Sequence, residues 1–209
     1  MAAPERHVVV VGASAGGLEC LVRIAGDLSP DLPASVFVVL HVSPGPSALP
    51  AILSRSGRLP AEHARDGEAI ERGKIYVAPP DHHLLVEPGV MRLVRGPREN
   101  RVRPAIDVLF RSAAAAYGPR VIGVVMSGYL DDGATGLLAI KRQGGIAVVQ
   151  DPDDAQAPAM PRAALAIVEA DHVVPLSEAG ALIDHLVRAP HDRPASGHRP
   201  PPAPTPSLR

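Results

Sequence analysis

Two apolar patterns alternate along the chain. Continuous aliphatic runs occur at HVVVV (His7–Val11), SVFVVLH (Ser35–His41), RVIGVVMSG (Arg120–Gly128) and IAVVQD (Ile146–Asp151). Such runs mark strands buried on both faces. Between them, LECLVRIAGDL (Leu18–Leu28), RPAIDVLFRSAAAAY (Arg103–Tyr117), DGATGLLAIKRQGG (Asp132–Gly145) and MPRAALAI (Met160–Ile167) space their apolar residues as helices do. SALPAILSRS (Ser47–Ser56) predicts a short helix whose start is blurred by Pro50. Pro104 suits the first turn of its helix. DHVVPL (Asp171–Leu176) predicts a brief strand, and SEAGALIDHLVR (Ser177–Arg188) a helix with Ser177 as N-cap and Glu178 in its first turn. The stretch Ala61–Gly96 differs: it holds short strands and turn signals, with Pro88-Gly89 predicting a hairpin turn.

Alternating apolar strands and helices imply a single α/β domain over residues 1–189. Its expected architecture is a doubly wound, mostly parallel sheet with helices on both faces. Residues 190–209 are Pro-rich, with Leu208 the one sizeable apolar side chain, and predict a disordered tail. No repeat is evident. In doubly wound folds the chemistry gathers beyond the carboxyl ends of the strands, so the residues following each strand carry the functional information.

After the first strand comes Gly12-Ala13-Ser14-Ala15-Gly16-Gly17. It satisfies G-x-S-x-G, in which a sharp strand-to-helix turn exposes a nucleophilic serine. The Ala15 N–H at the helix start is placed to receive an oxyanion. A dinucleotide loop is the rival, but G-x-G-x-x-G needs glycine at Ser14 and an acid at the end of the second strand, where His41 stands. Adjacent parallel strands would bring Ser14 and His41 within reach, and a histidine is the ordinary base for a serine nucleophile. SGYLDDGATG, after the third long strand, offers Asp131 and Asp132 to orient that histidine; either aspartate is also a natural helix cap.

Composition narrows the alternatives. Of 209 residues, 21 are Lys or Arg and 22 Asp or Glu, a formal net charge of -1, and aromatics make up 2%. Neither a basic face nor a base-stacking platform is expected, hence no nucleic-acid partner. Hydrophobic residues are 46%, so the core must be aliphatic. The lone Cys20 excludes an internal disulfide and suits a reducing compartment; it is expected to be a small core residue. No signal peptide or membrane-length run is visible, which predicts a cytoplasmic protein without membrane insertion. His82 and His83 are neighbours on a strand and would face opposite ways, so no metal site is expected, and no cofactor.

Six blocks, GASAGG, LHVSPG, IYVAPPDHHLL, NRVRPAIDVLF, GVVMSGYLDDGATGL and AMPRAA, resemble in order the motifs of the chemotaxis protein-glutamate methylesterase catalytic domain, over about Val8–Val187. The resemblance implies a doubly wound fold and a hydrolase acting on glutamate methyl esters of chemoreceptors or related signalling proteins, with possible deamidation of receptor glutamines. It implies Ser14 as nucleophile, His41 as base and Asp132, rather than Asp131, as the acid; Ala15, Gly16 and Tyr129 are expected in the oxyanion and substrate-binding set. Tyr129 stands where the family usually carries methionine, Val102 where a histidine is common, and Pro46 where an aromatic is frequent. These differences flank the mouth of the site and bear on substrate identity. Familiar members have a phospho-receiver domain before the catalytic one. The strand before Ser14 begins at His7, so the expectation is a stand-alone catalytic domain not switched by its own phosphorylation. The competing expectations are a non-catalytic signalling scaffold and a nucleotide-binding domain.

Overall fold

Branching at Cβ favours extended backbone and packs well on a pleated surface, and the valine-rich runs do form strands. The computed structural model describes residues 8–41 and 45–189; the tail expected to be disordered and His7 lie outside them. The first strand, β1 (Val8–Ala13), runs two residues further than its apolar run and leads into helix α1 (Gly17–Asp27). There follow β2 (Ser35–Leu40), α2 (Leu49–Ser56), β3 (Ala61–His63) and β4 (Ile75–Val77). Next come the hairpin strands β5 (His83–Glu87) and β6 (Val90–Val94), then α3 (Ile106–Tyr117) and β7 (Val121–Val125). The rest is α4 (Ala134–Arg142), β8 (Ile146–Gln150), α5 (Ala159–Ile167), β9 (His172–Val174) and α6 (Leu176–Arg188).

Seven strands form one sheet in the order β3-β4-β2-β1-β7-β8-β9, parallel throughout. The antiparallel β5-β6 pair stands apart from it, turning at Pro88-Gly89 with Gly89 at φ 81°. From β1 the chain winds outward through β2 on one side and later through β7 and β8 on the other. The strand order therefore reverses between β1 and β7, where an open α/β sheet forms its crevice.

Alternate β1 side chains feed two separate cores. Val9 and Val11 join α1, α2 and α6 on one face; Val8 and Val10 join α3, α4, α5 and the hairpin on the other. The aliphatic core has a small aromatic patch where Phe37 and Tyr76 stack at 5.4 Å.

Three boundaries differ from expectation. Ser177 is not the N-cap of α6: the helix starts at Leu176 after Pro175, placing Ser177 within the first turn. Pro104 precedes α3, which is entered through Ala105 in extended backbone. Pro50, which obscured the start of α2, lies in its first turn, where a missing N–H does no harm.

Gly12 lets α3 close on β1. A Cβ there would lie 2.3 Å from Cγ2 of the fully buried Ile106, at the first turn of α3. Gly12→Ala is expected to destabilise the domain by about 1–3 kcal/mol through overpacking. Denaturant unfolding followed by circular dichroism measures this, the chain having no tryptophan; an unchanged midpoint would show that Ile106 yields freely.

Candidate active site

Ser14 sits at the strand reversal. Its N–H donates to the Ser127 carbonyl, just beyond β7, at 2.9 Å, and its own carbonyl accepts the Gly17 N–H at 2.8 Å. The turn closes through Gly16 at φ 74°, a left-handed position where a Cβ would also strike the Gln156 side chain. Buried Ser127 secures the turn from beneath: its hydroxyl donates to the Ala15 carbonyl at 2.7 Å and accepts the Ala157 N–H at 2.9 Å. Gln150, at the end of β8, accepts the Ser127 N–H at 2.9 Å and donates to Asp154 at 2.9 Å. That bond and the Leu176 N–H hold the Asp154 carboxyl below its ordinary value. Cys20 lies against the same Gln150 oxygen, and burial pushes its thiol up to about 11, so it stays protonated and inert.

The Ala15 carbonyl points down to Ser127. In a trans peptide the N–H lies opposite the carbonyl, so the Gly16 N–H points up and out. No backbone hydrogen bond takes up the Ala15 or Gly16 N–H among the described residues.

His41 follows β2, and its N–H donates to the Ala13 carbonyl at 3.1 Å. It therefore stands one strand spacing, about 4.8 Å, from the backbone leading to Ser14. Its Nε2 meets Asp132 Oδ2 at 2.8 Å. Ser14, Gly16, His41 and Gln156 line one open cleft of about 440 Å³. Behind the cleft the His41 ring bonds buried Asp132, and no hydrogen bond joins that ring to the Ser14 hydroxyl among the described residues. An apolar cavity of about 240 Å³ adjoins the cleft across Leu18 and Leu40, reaching Leu49 and Ile52 of α2.

Asp132 and Asp107 are each only 3% exposed, and each sits on the other's helix. Asp132, just before α4, accepts the Ile106 and Asp107 N–H groups of α3 at 2.7 and 3.1 Å. Asp107, in the first turn of α3, accepts the Gly133 and Gly136 N–H groups of α4 at 3.1 and 2.6 Å, and the Thr135 hydroxyl at 2.6 Å. The Asn100 amide donates to both carboxylates, at 2.7 Å to Asp132 and 2.9 Å to Asp107. Burial pushes the Asp132 carboxyl up. The bonds from His41, Ile106, Asn100 and Asp107 outweigh it and hold the group below the usual carboxylate value.

Asp132 thus both faces His41 and caps a helix, although the capped helix is α3 and not the one it precedes. Asp131 is exposed. Tyr129 stands on the same loop, 68% exposed, beside exposed Leu130 at φ 64°, and does not border the cleft. His83 is buried between the Pro97 carbonyl at 2.9 Å and the Ala105 N–H at 3.2 Å. His82 contacts the Pro80 carbonyl. No group of metal-ligating side chains forms among the described residues. Asn100, Asp107, Ser127 and Gln150 went unnoticed in the sequence; an aspartate in the first turn of α3 was the one available hint.

A family model for CheB methylesterase matches residues 9–183. Protein-glutamate methylesterase/protein-glutamine glutaminase 2 of Anaeromyxobacter dehalogenans is 38% identical over 192 residues, covering 90% of this chain and 56% of that protein. The chain spans about half the length of several other such relatives, among them that of Pyrococcus horikoshii at 49%. A putative protein-glutamate methylesterase/protein-glutamine glutaminase of Leptospira interrogans is 37% identical and is covered over 94% of its length. The Thermotoga maritima CheB methylesterase catalytic domain superposes with a TM-score of 0.84 at 30% identity, over 88% of this chain and 100% of that one. An all-parallel sheet with a serine elbow at its reversal point, a histidine just after the neighbouring strand and a family match along most of its length together place this chain in the CheB methylesterase family.

Proposed function

We propose that the chain is a serine hydrolase that removes methyl groups from glutamate γ-methyl esters on chemoreceptors or related signalling proteins, and deamidates glutamines at such sites, in the cytoplasm. The observation that carries this is that His41, its ring bonded to buried Asp132, lines the same cleft as Ser14. No helix among the described residues is long and apolar enough to cross a membrane.

Nε2 of His41 is committed to Asp132, which leaves Nδ1 to serve Ser14. As substrate enters, Nδ1 takes the Ser14 proton while Oγ attacks the γ-carbonyl carbon. Catalytic hydrogen bonds often tighten only at this stage. The carbonyl π pair moves onto oxygen, and the Ala15 and Gly16 N–H groups hold the oxyanion. Collapse breaks the ester C–O bond, and the imidazolium returns its proton to the departing methoxide, releasing methanol. Water, deprotonated by Nδ1, then attacks the acyl-enzyme; its collapse restores the Ser14 hydroxyl and leaves a glutamate. A glutamine releases ammonia by the same steps. Ionised Asp132 holds the imidazole in the tautomer that donates from Nε2 and stabilises the imidazolium. Tyr129, exposed on the loop before Asp132, meets the substrate protein outside the cleft.

Ser14→Ala is expected to lower kcat on the order of 10³-fold or more, measured as methanol release from methylated receptor fragments. A fluorophosphonate is expected to label wild type at Ser14. Near-normal turnover of the alanine variant would refute the nucleophile, and absence of methanol release from wild type would favour a scaffold role. His41→Ala is expected to abolish labelling as well as turnover.

Because Asp132 is held below its ordinary value, it stays ionised wherever an imidazole is neutral. Towards acid, kcat/KM is expected to fall about tenfold per pH unit, as for one titrating base. A twofold steeper limb would show a second group protonating in the same range.

A further inference from the structure

Asn100 lies 32 residues before Asp132 and outside every helix and strand, yet its amide joins the two buried carboxylates of the site. It occupies a tight turn in which the Val102 N–H donates to the Glu99 carbonyl at 2.9 Å. Both central residues have positive φ, Asn100 at 50° and Arg101 at 67°. Left-handed backbone disfavours most L-residues by about 1–2 kcal/mol, and asparagine is among the more tolerant. Two consecutive left-handed residues persist only where the surroundings impose them. Here the turn is fastened at both ends. Arg111 of α3 binds Glu99 at 2.6 Å. Arg103 binds the Gly96 carbonyl at 2.6 Å and Asp81 through Nε at 3.0 Å.

The chemistry required at this point is narrow. Asp132 Oδ1 and Asp107 Oδ2 each need one more donor, and the amide nitrogen has two hydrogens on one atom. A serine has one. An aspartate would set a third carboxylate against the other two. The ionisable groups facing Asp132 are His41 from the end of β2 and Asp107 from α3, while Asp131 turns to solvent. Without the amide, the two carboxylates would face each other across an unfilled gap, and like charges at that separation favour sharing a proton.

We propose that Asn100 is a positioning residue of the hydrolytic site: its side-chain amide, presented by a left-handed turn, clamps Asp132 to Asp107 and keeps the Asp132 carboxylate aimed at His41. The inference rests on the proposed roles of Ser14, His41 and Asp132. The amide touches no reacting atom; it acts through Asp132.

Two variants test it. Asn100→Gly removes the amide at a position where glycine adopts positive φ without strain. Asn100→Asp keeps the shape and the tolerance of left-handed backbone but replaces the donor with an acceptor. One face of Asn100 is exposed, so both are expected to fold, with circular dichroism as the check. Methanol release is expected to fall about tenfold to a hundredfold in kcat, with KM within about twofold. The acid limb of kcat/KM is expected to move to higher pH by about half a unit or more, furthest in Asn100→Asp, because Asp132 then takes up a proton more readily. The acid limb of fluorophosphonate labelling at Ser14 is expected to move with it. A loosened surface turn would lower thermal stability or raise KM and leave both limbs in place. That outcome, or wild-type kcat in both variants, overturns the clamp while the esterase assignment stands. Wild-type protein that fails to label at Ser14 overturns the assignment and the clamp together.

Discussion

Two buried carboxylates and two helix N-termini hold each other in place at the rim where the strands end. Moving an ion from water into a protein interior costs several kcal/mol unless charge and hydrogen bonds compensate it. Asp132 receives four donors, two of them N–H groups at the start of α3, and Asp107 likewise receives four, three from the start of α4 of which two are N–H groups. The positive ends of both helix dipoles add to the compensation. Each helix thereby fixes the residue that caps the other. The orientation of the His41 ring follows from this arrangement, because its Nε2 has an ionised, immobile partner.

The other half of the site is built by neutral groups. Ser127 and Gln150 carry no charge, yet they tie the Ser14 turn to β7 and β8 through backbone carbonyls and N–H groups. Their work is directional: a peptide plane is turned so that its carbonyl is satisfied inside and its N–H is free outside. The acid side of the site is held by charge, and the nucleophile side by peptide geometry. The two are joined by the strand register that puts His41 one spacing from Ala13.

Much of this was readable in the chain. Continuous aliphatic runs identified the central strands, and helical spacing identified α1, α3, α4 and α5, because period and burial are local properties. Ser14, His41 and Asp132 emerged because each follows a strand, and strand ends in this architecture share one rim. Resemblance to a family was still needed to choose Asp132 over Asp131, since both read equally well as caps. Asn100 and Asp107 escaped because, apart from their bond to each other, their partners on the Asp132 side lie 25 to 32 residues away, joined by bonds that leave no periodic trace. Ser177 misled because the cap preference is statistical, and Pro175 had already set the extended backbone from which α6 begins. The separate hairpin was foreseen as a turn, but nothing local told that it would leave the sheet and pack under α3.

The two cores on opposite faces of the sheet have a mechanical corollary. Ser14 leads directly into α1, which packs in one outer layer, while Asp132 is bonded to the start of α3 in the other. The strands between them act as a ruler. His41 is tied to both sides, by its N–H to the Ala13 carbonyl and by its ring to Asp132, so it is the link that crosses from one layer to the other.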